Sequence, residues 1–121
     1  MLCTQETPTK GAIMGLDITA YAVPAGALKG EQLHYWRKHH ELLKWCEALD
    51  IERGGAEWDE PAQSISLTSA DLDRLESAVA KGELPDFYDR GDYWQAHDLA
   101  FIAKARAALA AGMIVEIVAS W

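Results

Sequence analysis

Apolar and polar side chains alternate where the patterned part of the chain begins. In LDITAYAV (residues 16–23) the side chains of Leu16, Ile18 and Ala20 fall on one side of an extended backbone. This period of two predicts a strand with one face turned toward the core. Pro24 ends the pattern, and the PAGALKG segment that it opens predicts a turn.

The next patterned segment, Glu31 to Asp50, fits a helical period instead. Its apolar stripe on a helical wheel consists of Tyr35, Leu42, Cys46 and Leu49. The sequence therefore predicts one long helix whose aromatic side chains belong mainly to a wide core face. Arg37 and Glu41 face away from that stripe at a spacing that allows an ion pair.

Two histidines of this predicted helix need a separate explanation. His39 projects into the apolar stripe, where we expect a hydrogen-bonded structural histidine, and His40 lies at the rim beside Trp36. Together with Tyr35 and Arg37, the rim residues run from the core edge toward solvent. Aromatic and arginine side chains often anchor binding surfaces, so Tyr35, Trp36, Arg37 and His40 are candidate binding residues.

Four further elements are predicted after a polar loop. SISLT (residues 64–68) has the pattern of a short strand, and Thr68 or Ser69 can cap a following helix. An alanine-rich helix is predicted over residues 94–110. The β-branched segment at residues 113–121 predicts a last strand in a central or well-covered position.

These elements follow the order β-α-β-α-α-β. With 121 residues the chain has room for one core, and the order predicts an α+β domain over residues 14–121, with a three-stranded sheet covered by helices. Residues 1–13 are polar and lack periodicity, and are expected to form a flexible N-terminal extension.

The charge of the chain is negative and unevenly distributed. The net charge is −8, and residues 47–98 hold fourteen acids against four bases. Because an acidic surface repels phosphates, direct binding of nucleic acid is disfavoured. No apolar run is long enough to cross a bilayer and no secretory signal is apparent, while Cys3 and Cys46 are expected to be free thiols. A cytoplasmic location is the resulting expectation.

Motifs for catalysis or metal binding are missing. His34 and His39 are five residues apart, which is wrong for two metal ligands on one helix. His97 could join from the third helix, with Asp98 or Asp92, but nothing in the sequence requires this. Neither a G-x-S-x-G elbow nor a phosphate-binding P-loop is present. We therefore predict no metal and no cofactor, and enzyme activity stays open with the balance against it.

Two fragments resemble a family of small phage and prophage proteins. These are MGLD (residues 14–17), leading a strand, and YWRK (residues 35–38), opening a helix with Trp45 seven residues beyond Lys38. The likeness extends to the acidic and aromatic FYDRGDYW segment at residues 87–94. Where this family has asparagine the chain has His40. The resemblance implies a phage or prophage origin and no particular activity.

These observations favour a small acidic protein that binds and modulates a bacterial host protein, without catalysis. Such a host-takeover or anti-defence inhibitor would use Asp86, Asp89 and Asp92 to dock on a basic, nucleic-acid-binding target.

Two alternatives are kept. One is a small ligand-binding domain or enzyme with a pocket around Asp17, Tyr35, Arg37 and His40. The other is a self-associating module, a homodimer, if Val118 or Trp121 leaves an apolar strand face uncovered.

Overall fold

The structure is a computed structural model that describes residues 15–59, 62–86 and 90–121. The predicted extension at residues 1–13 lies outside these ranges. The strands and helices, in chain order, are β1 (Asp17–Val23), β2 (Glu31–Arg37), α1 (His40–Glu52), β3 (Ala62–Leu67), α2 (Ser69–Ala80), α3 (Gln95–Ala110) and β4 (Ile114–Ser120). None of the helices within these ranges has the length and apolar character needed to span a bilayer.

The four strands form one open sheet in the order β2-β1-β4-β3, and every neighbouring pair is antiparallel. The first predicted strand is confirmed, since Leu16, Ile18 and Ala20 are all fully buried. Their neighbours on the opposite face, such as Tyr21, are only partly covered. The sheet therefore turns one face to the helical core, which is the α+β arrangement that the sequence predicts.

The prediction of three strands in the order β-α-β-α-α-β is wrong by one strand. Residues 31–37 form β2, which pairs with β1, and the observed order is β-β-α-β-α-α-β. The predicted helix over residues 31–50 is correspondingly too long, because α1 begins only at His40. Arg37 therefore does not pair with Glu41, whose carboxylate accepts a bond from Lys44.

The aromatic residues explain why β2 resembles a helix in sequence. Trp36 faces the core and Tyr35 faces solvent, yet both are large and aromatic, so the period of two is hidden. A β-bulge in the pairing with β1, between Ala20 and Tyr21, breaks the alternation further. Lys38, with φ of 65°, occupies the boundary between β2 and α1. A glycine or proline at this position would have marked the end of the strand in the sequence.

The second half of the chain agrees closely with prediction. Thr68 caps α2 through a capping box with Asp71, in which each side chain bonds the other residue's backbone N–H. β4 is an interior strand of the sheet, between β1 and β3, with Val115 and Ile117 fully buried. Its β-branched composition suits this covered position.

A buried carboxylate joins three of these elements. Asp98 on α3 is 1% exposed. Its two oxygens are 3.0 Å from Nε1 of Trp36 on β2 and 3.1 Å from Nε2 of His39, which precedes α1. The predicted structural hydrogen bond of His39 is thus present at Nε2, whereas its buried Nδ1 has no hydrogen-bond partner among the described residues, so the ring is satisfied at one nitrogen only. A buried charge without such partners would cost several kcal/mol, so Asp98 fixes how β2, α1 and α3 meet.

The bond from Trp36 can be tested with a conservative change. Trp36→Phe removes the indole N–H and leaves Asp98 a buried carboxylate with one partner fewer. We expect a loss of about 1.5–3 kcal/mol in the free energy of unfolding, measured by urea denaturation.

Tyr35→Phe is the matched control, since Tyr35 is on the same strand and donates to Asp17 at the surface. We expect it to change stability much less. Equal losses for the two variants would contradict the role given to Asp98.

Candidate functional site

A cleft of about 470 Å³ opens where β2 ends and where α1 and α3 begin. Its lining consists of Arg37, Lys38, Arg90, Tyr93 and Trp94. Three of the five side chains are cations and two are aromatic. This is a distinctive composition in a chain with a net charge of −8, and it is typical of sites that receive anionic groups.

Two helices, α1 and α3, begin beside the cleft. The residues at their N-cap positions, His39 for α1 and Trp94 for α3, make no capping hydrogen bond with their side chains. Their rings instead stack on each other, with centroids 4.7 Å apart and planes 10° from parallel. The starts of α1 and α3 therefore lie close together, and the buried carboxylate of Asp98, in the first turn of α3, offsets part of the positive charge of both helix dipoles.

Carboxylates hold the two arginines of the cleft in place. Asp17 accepts a bond of 3.0 Å from Nη1 of Arg37. Asp86 accepts from Nε and Nη2 of Arg90, as well as from the Trp94 indole. The hydrogen bonds from Asp17 and Asp86 raise the pKa of Arg37 and of Arg90, respectively. Both guanidinium groups are thus charged and positioned, and both remain partly exposed.

The aromatic wall of the cleft is organised by Arg90. Its guanidinium lies over the ring of Tyr93, with Cζ 3.8 Å from the ring centroid, in a cation–π contact. Tyr93 in turn contacts Trp94 edge to face. An aromatic wall with a cation against one ring results, next to the cations at the end of β2.

Lys38 reaches the cleft through an unusual backbone conformation. Its φ of 65° lies in the left-handed region, and no other described residue besides glycine has a positive φ. Its N–H bonds the carbonyl of Leu16 at 2.9 Å, which holds the turn between β2 and α1. Such a conformation is disfavoured for lysine, and strained residues of this kind concentrate at functional sites.

The predicted binding residues of the opening segment are divided between surface and core. Tyr35 and Arg37 are exposed, and both donate to Asp17 across β1 and β2. The hydrogen bond from Tyr35 lowers the pKa of Asp17. Trp36 and His40 are fully buried. Of the four residues predicted to surround a pocket, Asp17, Tyr35 and Arg37 are therefore in contact at the surface, Arg37 lines the cleft, and the side chain of His40 belongs to the core.

The three aspartates predicted to dock on a basic partner also differ. Asp86 is buried and bonded to Arg90 and Trp94. Asp92 is exposed, and Asp89 lies outside the described residues. Asp86 thus acts inside the protein, as a fixed acceptor that supports the cleft.

Sequence reasoning missed Arg90, Tyr93 and Trp94 as cleft residues. They are about fifty residues away from Lys38 along the chain, and α3 brings them to the end of β2. One signal was available. The segment DRGDYW at residues 89–94 combines a cation, two aromatic residues and a glycine, which is a composition typical of binding loops.

Metal clusters and an activated thiol are both absent from the described parts of the chain. There, no group of three or more His, Cys, Asp or Glu side chains could hold a metal ion. Burial raises the pKa of the Cys46 thiol, and the negative charge of Asp98 raises it further. Cys46 is therefore a poor nucleophile at neutral pH.

Comparisons with protein-family models, curated proteins and solved structures find no match for this chain. The likeness to small phage proteins stays a resemblance. Any functional conclusion rests on the geometry of the site.

Cys46 offers a direct test of core burial. In a Cys3→Ser variant, which leaves Cys46 as the only thiol, we expect alkylation by iodoacetamide at pH 8 to be negligible in native buffer. The rate should rise through the urea unfolding transition, because the thiolate forms only once the thiol is hydrated. Equal rates in the native and unfolded protein would show that Cys46 is accessible.

Proposed function

We propose that the protein is a binding protein for a small anionic ligand, held in the cleft by Arg37, Lys38 and Arg90. The observation that carries this proposal is the convergence of three cations on one cleft beside the starts of α1 and α3. A phosphate or carboxylate group suits this lining, since it accepts bonds from guanidinium and ammonium groups.

The aromatic wall favours a ligand that has a planar or apolar part beside its anionic group. Tyr93 is 45% exposed although Arg90 lies against its ring. A ligand of this class would place its charge at Lys38 and its body along Tyr93 and Trp94. Sites for small molecules commonly combine aromatic surface with a few fixed polar groups in this way.

Regulation of a host protein by docking through acidic loops is a second proposal, with less support. Several acids of the acidic segment, residues 47–98, already bind other side chains of this protein. Asp50 accepts from the Trp58 indole, and Glu52 pairs with Arg74. Asp86 is likewise buried. A protein that binds a small anion could still act on a host, for instance by sequestering a metabolite or signal.

Binding can be tested with inorganic pyrophosphate as the probe, followed by calorimetry and by intrinsic tryptophan fluorescence. We expect saturable binding that weakens as salt increases. Lys38→Asn should weaken it about fivefold to tenfold, because one cation is lost. Asparagine tolerates the left-handed backbone at this position, so the variant should keep its stability.

Arg74→Gln is the matched control, because Arg74 is an exposed cation paired with Glu52 away from the cleft. We expect it to bind pyrophosphate like the parent. If the two variants lose the same affinity, binding reflects general charge. If the parent does not bind the probe and Lys38→Asn changes nothing for carboxylate probes such as citrate, the proposal is wrong.

A further inference from the structure

Two histidines meet at a position that is separate from the cleft lining. His34 is half-buried on β2, an edge strand, and His97 is exposed in the first turn of α3. His34 Nε2 and His97 Nδ1 are 3.2 Å apart. The ring centroids are 5.3 Å apart, at an angle of 75°. Because the histidines come from a strand and a helix, the spacing rule for one helix does not apply to them.

The separation of the two nitrogens suits a shared metal ion. Bonds of about 2.0–2.1 Å from zinc to imidazole place two nitrogens roughly 3.4 Å apart at a tetrahedral angle and roughly 2.9 Å apart at a right angle. The observed 3.2 Å lies between these values. We propose that His34 Nε2 and His97 Nδ1 bind one divalent transition-metal ion of the Zn²⁺, Ni²⁺ or Cu²⁺ class, with water completing its coordination.

The same nitrogens share an N–H···N hydrogen bond when the metal is absent. One of the two then carries a proton. On binding, that proton moves to the other nitrogen of its own ring, so that both lone pairs face the metal and both rings stay neutral. Imidazole is a preferred ligand for this class of ion, whereas Mg²⁺ prefers oxygen ligands.

The residues around the two histidines orient the rings and limit the affinity of the pair for a metal ion. The His34 ring lies 4.7 Å from that of Trp36, and the His97 ring 5.3 Å from that of Trp94, so both rings are held. The net charge of −8 attracts cations to the protein. The ammonium group of Lys104 repels cations from this position, because its Nζ donates to the carbonyl of Leu33 beside His34. Two protein ligands and a nearby cation predict a weaker site than a structural zinc centre.

Calorimetric titration of the tag-free chain with Zn²⁺ tests the proposal, in the Cys3→Ser background to exclude a thiolate ligand. We expect one Zn²⁺ per chain and no response to Mg²⁺. His34→Gln and His97→Gln should each weaken binding at least tenfold, and Lys104→Met should strengthen it. Absence of Zn²⁺ binding, or binding that survives either histidine substitution, would overturn the proposal.

Nitrogen NMR of the unsubstituted chain gives a second test that depends on no variant. On adding Zn²⁺, the ring nitrogen signals of His34 and His97 should shift together. Those of the buried His39 and His40 should stay in place and serve as internal references. Shifts at only one of the two proposed ligands, or at neither, would show that this pair is not a metal site.

Discussion

The buried carboxylate of Asp98 is the constraint on which the arrangement of the helices depends. It lies almost completely out of solvent, where an unpaired charge would be prohibitively unstable, and it receives the Trp36 indole and the His39 ring. Trp36 is the penultimate residue of β2, and His39 immediately precedes α1. One side chain on α3 therefore sets the position of the β2–α1 turn relative to the sheet and to the third helix.

The cleft is a consequence of that arrangement. Fixing His39 beside α3 places its ring on Trp94, so the starts of α1 and α3 come together. Lys38 then projects beside Arg90. The hydrogen bond from a tryptophan indole to a carboxylate recurs elsewhere. Trp58 donates to Asp50, and Trp94 donates to Asp86. Carboxylates in this protein thus serve repeatedly as acceptors for tryptophan N–H groups, and composition alone overstates how much negative charge is available for docking.

Local patterns in the sequence predict most of the elements and little of the cleft. β1, the Thr68 cap and the burial of β4 follow from alternation and capping rules, which are local. β2 does not, because similar aromatic residues occupy both of its faces and Lys38 takes a backbone conformation normally reserved for glycine. Which acceptor a buried donor reaches depends on contacts between elements that are far apart in the sequence. For that reason a hydrogen bond at His39 was predictable, while its partner and the placement of Arg90 were not.

The most direct test of the account is to locate the anion site in solution. Backbone amide shifts should be followed by ¹H–¹⁵N NMR as pyrophosphate is added to the full chain. We expect the largest shifts at residues 38–42 and 93–97, where the two helices begin beside the cleft, together with the side-chain signal of Arg37. Shifts concentrated at cations elsewhere, such as Arg74 or Arg106, or spread evenly over the surface, would contradict it.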